Sequence, residues 1–133
     1  MDYSAIDNLL KQIEPLFANL LSLSPLQNGS IESWRWDAPD TTLTWSSPDR
    51  HNGKSIDVGI LTDDLDQPQV VTVHISAWED DLSNQIRYWE YRHIGSLSVT
   101  DFSDSVLKDI LDKAHEILVN FTPQDLTRHS SLR

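Results

Sequence analysis

Apolar residues change their spacing twice along this chain. From Tyr3 to Leu23 they fall at Ile6, Leu9, Leu10, Ile13, Leu16, Phe17, Leu20 and Leu21, the three-and-four spacing of a helix with one buried stripe. Pro15 lies inside this run and lacks an amide hydrogen, which predicts a kink or two short helices meeting near Glu14. Ser24-Pro25 and Asn28-Gly29-Ser30 then end the helix and turn the chain.

Between Ile31 and Val99 the period falls to two, and the residues become Trp, Thr, Val and Ile, which suit a pleated surface. Five strands are expected, over about 31–37, 41–46, 55–61, 70–78 and 85–93. The fourth alternates most cleanly, with Val71, Val73, Ile75 and Ala77 on one side and Thr72, His74, Ser76 and Trp78 on the other. The fifth sets Ile86, Tyr88, Glu90 and Arg92 against Arg87, Trp89, Tyr91 and His93, two mixed sides that leave its buried face open.

Helical spacing returns with Phe102, Val106, Leu107, Ile110, Leu111, Ala114, Ile117, Leu118 and Phe121, behind Thr100 or Ser103 as N-cap. Asp104 with Lys108 and Asp109 with Lys113 have the spacing of helical ion pairs, and Pro123 stops the element. Connections of two to eight residues make consecutive strands antiparallel neighbours. The expected fold is therefore one α+β domain over 1–123, an antiparallel five-stranded meander with a helix before and after it. Both helices are expected on one sheet face, with their coverage of opposite faces as the alternative, and 124–133 is read as a flexible tail.

The formal net charge of −11 opposes binding to phosphate backbones and to anionic lipid, so nucleic-acid and membrane partners are not expected. Seven carboxylates and no Lys or Arg stand between Ser55 and Ile86. A meander places Asp63, Asp64 and Asp66 at one sheet end and Glu79, Asp80 and Asp81 at the other, so they do not converge on one metal. Cys is absent, which removes disulfides, thiolate ligands and a cysteine nucleophile. No signal-peptide pattern or apolar run of membrane length is read, and a cytoplasmic location is expected, with the patterns Asn28-Gly29-Ser30 and Asn120-Phe121-Thr122 unglycosylated.

Known chemistry leaves little trace. Asp64 and Asp66 lack the Gly and closing Glu of a calcium loop, and the five histidines, His51, His74, His93, His115 and His129, show no zinc spacing. His115 is read as a solvent-facing residue beside Asp112. The four glycines form no phosphate-cradling loop, and no serine stands in a nucleophile elbow. Asp49 and His51, which a meander brings to the sheet end of Glu79 to Asp81, are the best acid-base candidates. No cofactor, metal or catalytic residue is assigned.

Five tryptophans in 133 residues are a high proportion, and most are expected in the core. Trp78 is the exception, because the apolar side of its strand belongs to the helices. It should share the other face with Thr42, Thr44 and either Tyr88 or Trp89 and Tyr91. The expected function is a non-enzymatic protein-interaction module of adaptor, chaperone-like or immunity type, binding a basic partner or a second copy through Thr72, His74, Ser76, Trp78, Trp89 and Tyr91. The alternative is a small-ligand binder or enzyme with a pocket lined by Trp34, Trp36, Trp45 and His74.

Overall fold

The two periodicities resolve into two layers. The computed structural model describes residues 3–133. Helix α1 (Ser4–Leu23) precedes strands β1 (Gly29–Trp34), β2 (Asp40–Ser46), β3 (Asn52–Thr62), β4 (Pro68–Asp81) and β5 (Ile86–Ser98). Helix α2 (Asp104–Val119) and strand β6 (Arg128–Ser131) follow. The strands form one antiparallel sheet in chain order, a meander of six strands and not the expected five.

Both helices lie on the same sheet face. Ile6, Leu9, Leu10, Ile13, Phe17 and Leu20 of α1 and Leu107, Leu111, Ala114 and Leu118 of α2 bury against Leu43, Trp45, Ile56, Val58, Ile60, Val71, Val73, Ile75, Ala77 and Leu97. This single core joins every element that alternates, because only the apolar half of each strand can leave water at a profit in solvation free energy.

Helix α1 runs unbroken through Pro15. Pro15 and Lys11, whose carbonyl loses its usual donor, are both exposed, so water can take the freed acceptor. Helix α2 starts where Ser103 Oγ accepts from the Val106 amide at 3.3 Å. Lys108 pairs one turn forward with Asp112 at 2.6 Å and not back to Asp104. The carbonyls at its C-terminal end are met from the sheet: Lys54 Nζ donates to both the Leu118 and Phe121 carbonyl oxygens, a cation at the negative end of the helix dipole.

The segment expected as a tail carries β6. Its four residues are exposed and show no apolar alternation, so periodicity does not reveal them. What places them is Glu90, buried on β5, whose carboxylate accepts from Thr127 Oγ1 at 2.9 Å and lies 3.6 Å from the Arg128 guanidinium. Arg128 also stacks over Trp89 at 5.2 Å.

Glu90→Ala should therefore release β6 while leaving the meander folded. Amide hydrogen exchange would show protection lost in β6 and at its partners on β5, with a global destabilisation of about 1–2 kcal/mol. Unchanged exchange at 128–131 would show that the strand does not depend on this carboxylate.

Candidate functional site

With both helices on one side, neither helix covers the other sheet face, and the register specifies what that face contains. Thr72, His74, Ser76 and Trp78 of β4 lie on it. Trp89 stands directly across from Trp78, and Tyr91 across from Ser76, which puts both on the same face and leaves Tyr88 on the helix side. All six expected contact residues thus form one patch on β4 and β5. The expectation for the other tryptophans is corrected: only Trp45 is buried, while Trp34 and Trp36 are 57% and 44% exposed. Trp36 packs edge-on against Tyr3, at the start of α1.

The half of this face nearer β1 carries carboxylates. Asp57 sits opposite Thr42 on one side and His74 on the other, and its Oδ1 accepts from Thr42 Oγ1 at 2.8 Å. Asp40 lies one row away on β2. Its carboxyl is pushed from 3.8 up to about 7, first by partial burial and then by the hydrogen bond and charge of Asp57, against a smaller lowering from Thr42. Two acids that share a proton in this way lack a neutralising cation. Glu32 adds a third acid to the same half, and no Lys or Arg projects there from β1, β2 or β3.

On β4 and β5 two imidazoles meet. His93 Nδ1 lies 3.3 Å from His74 Nε2, and His93 Nε2 lies 3.1 Å from Ser96 Oγ. The His74 ring stacks on Tyr91, with centroids 5.0 Å apart and planes 15° from parallel. Ser96 joins this face because Ile94 is an extra residue in the ladder: His74 pairs with His93 but Val73 pairs with Gly95. Burial and the neighbouring His93 lower the proton affinity of His74, opposed by Asp57. Among the described residues no group of three or more His, Cys, Asp or Glu side chains gathers as a metal ligand set.

At the opposite end of the face the acid-base candidates are held by contacts within the fold. Asp80, with a side chain 1% exposed, takes both Arg87 Nε at 2.7 Å and its terminal nitrogen at 3.0 Å, and His51 Nδ1 at 2.9 Å. These contacts, Arg87 first, hold its carboxyl down at about 2, so it exchanges no proton near neutrality. Asp49 instead accepts from Ser47 Oγ at 2.6 Å and from the His51 amide, fixing its own turn. The Trp78 ring lies across Gly53, where a methyl group would overlap it, and donates Nε1–H to the Arg50 carbonyl at 3.0 Å.

The pocket expected from Trp34, Trp36, Trp45 and His74 does not form, since Trp45 and His74 lie on opposite sheet faces. A cavity of about 480 Å³ exists elsewhere, at the sheet end beneath the loops that follow the two helices. Leu26, Trp45, Lys54, Trp78, Phe121 and Leu126 contribute to its walls. Trp45 Nε1 is buried without a hydrogen-bond partner. His115, expected in solvent, is half-buried against the Trp45 ring and bonds Ser24 Oγ at 2.7 Å.

Asp40, Asp57, His93 and Ser96 were missing from the expected contact set. His93 was readable, because it alternates with Trp89 and Tyr91. Ser96 was not, since its odd spacing from His93 needs the bulge. The Asp40 and Asp57 pairing needs the β2–β3 register, to which each residue contributes only one ordinary surface acid.

Two pH responses follow. Asp40 binds its proton more tightly folded than unfolded, so it costs stability as pH rises from about 4 to about 7; Asp40→Asn should flatten that decline and raise the melting temperature at pH 8. A variant no more stable than wild type at pH 8 would remove the shared proton. Asp80 behaves oppositely: its depressed value contributes stability that is present above about pH 4 and lost as pH falls towards about 2, on the order of 2 kcal/mol. Acid unfolding of Asp80→Asn should lack this component, and an acid profile like that of wild type would rule it out.

Compared with protein families, curated proteins and solved structures, the chain matches none of them.

Proposed function

We propose that this protein is a non-enzymatic interaction module, of adaptor, chaperone-like or immunity type, that docks a basic protein segment on the uncovered face of its sheet. The observation that carries this reading is the Asp40 and Asp57 pair, two neighbouring carboxylates with no cation of their own beside a patch of Trp and Tyr. An incoming Lys or Arg supplies the missing charge and displaces the shared proton. Tyr91, 48% exposed, with Trp78 and Trp89 offers aromatic area that orders at low entropy cost. A second copy is the weaker occupant, because a net charge of −11 on each chain and a carboxylate pair on each face oppose self-association. The same charge disfavours nucleic acid and anionic membrane, and the absence of Cys suits a cytoplasmic setting.

The cavity at the sheet end supports a second reading, a small-ligand binder. Its volume falls within the range of ligand pockets, and Trp45, Trp78 and Phe121 give it aromatic walls.

Titrating an Arg- and Lys-containing extended peptide into the labelled full chain distinguishes the two. Amide shifts should concentrate at Thr42, Asp57, His74 and Tyr91, and the affinity should fall at least tenfold in Asp40→Asn/Asp57→Asn and again at high salt. Binding should also strengthen between about pH 6 and pH 8, as the carboxyl pair gives up its proton. Shifts confined to Leu26, Trp45 and Phe121, or affinity indifferent to both salt and the double variant, would overturn the proposal. Concentration-dependent dimerisation that buries Tyr91 would replace the basic segment with a second copy.

A further inference from the structure

We propose that His74 and His93 form a surface site for a transition-metal dication, with Zn²⁺ the best geometric fit. Two zinc–imidazole bonds of about 2.0–2.1 Å meeting at a tetrahedral angle hold their nitrogens about 3.3 Å apart. His93 Nδ1 and His74 Nε2 stand at 3.3 Å. The two nitrogens therefore already span one edge of a tetrahedron, and a metal can seat on them without movement of either strand.

Four further features favour metal binding over a simple imidazole contact. For coordination, both facing nitrogens must present lone pairs, so the proton they share in the metal-free protein has to move to the far nitrogen of its own ring. On His93 that far nitrogen, Nε2, already has Ser96 Oγ at 3.1 Å to accept its N–H, the kind of outer partner that fixes the tautomer of a metal-bound histidine. The His74 ring is held in plane by its stack on Tyr91. Asp57, directly across from His74 in the β3–β4 ladder, places negative charge beside the site. Both histidines project from paired strands and not from loops, so the geometry is set before the ion arrives. As no third side chain joins them, the remaining positions belong to water or to donor atoms of a bound partner. The inference stands on the imidazole geometry and does not depend on the basic-segment reading.

The test is a zinc chloride titration of the full chain at pH 7.5, followed by long-range proton–nitrogen spectra of the imidazoles, with magnesium and calcium chloride as oxygen-preferring controls. His74 Nε2 and His93 Nδ1 should move with saturation under Zn²⁺ alone, while His51, His115 and His129 stay in place. His74→Ala and His93→Ala, each checked for an intact fold by circular dichroism, should both abolish the saturable response. Ser96→Ala should weaken it about tenfold. An equal response from all five histidines, saturation that survives in His93→Ala, or no imidazole response to Zn²⁺ would overturn the site, as would equal effects of Mg²⁺ or Ca²⁺, which would indicate the carboxylates instead.

Discussion

The alternation of β4 is the constraint on which the rest of the molecule depends. Val71, Val73, Ile75 and Ala77 can leave water only by turning towards the helices, and the pleat then obliges Thr72, His74, Ser76 and Trp78 to turn the other way. A slip of one residue would bury a His and a Trp among aliphatic side chains and expose four core residues. Because β3 and β5 flank β4 in the ladder, its orientation also determines theirs. Ile56 and Val58 go to the core with Ile75 and Val73, while Asp57, Trp89 and Tyr91 go to the uncovered face.

The uncovered face is consequently not a leftover surface of random composition. Its carboxylates without a cation lie towards β1, its imidazoles and all its aromatic rings but that of Trp34 lie towards β5, and the one arginine that projects beside Trp78 is already committed to Asp80. The Asp80, Arg87 and His51 contacts bind the β4–β5 hairpin to the loop before β3 and satisfy charge within the fold. The Asp40 and Asp57 pair does the opposite and concentrates charge that the fold leaves unsatisfied. One end of the face is thus built for rigidity, and the other retains a free-energy cost that a ligand could remove.

The parts of this architecture legible in the sequence are those written as repetition. Both helices, the meander and the membership of Thr72, His74, Ser76 and Trp78 on one face follow from spacings of two and of three to four residues. What escaped are features made by single contacts or by breaks in period. Strand β6 depends on Glu90 reaching Thr127 and Arg128, and nothing in the residues Arg128, His129, Ser130 and Ser131 announces a strand. Trp34 and Trp36 were expected in the core by residue type, yet β1 is an edge strand whose outward residues are not covered by the helices. The mixed sides of β5 have the same origin: Glu90 and Arg92 occupy helix-side positions near the sheet end, where polar partners and the Phe121 ring replace a full apolar cover.

The bulge at Ile94 shows how one irregularity can create chemistry that alternation alone excludes. In an unbroken strand His93 and Ser96, three residues apart, would point to opposite faces. The inserted residue restores them to one face, sends Ile94 towards the core and aligns Gly95 with Val73, where α2 approaches closely enough that Ile110 lies against the missing side chain. The same local change therefore serves packing on one side of the sheet and assembles Ser96, His93 and His74 into a line on the other. Removing the bulge would not merely shift a loop. It would rotate Ser96 away from His93 and strip the imidazole of the partner that orients it, so the geometry of the uncovered face and the fit of α2 rise and fall together.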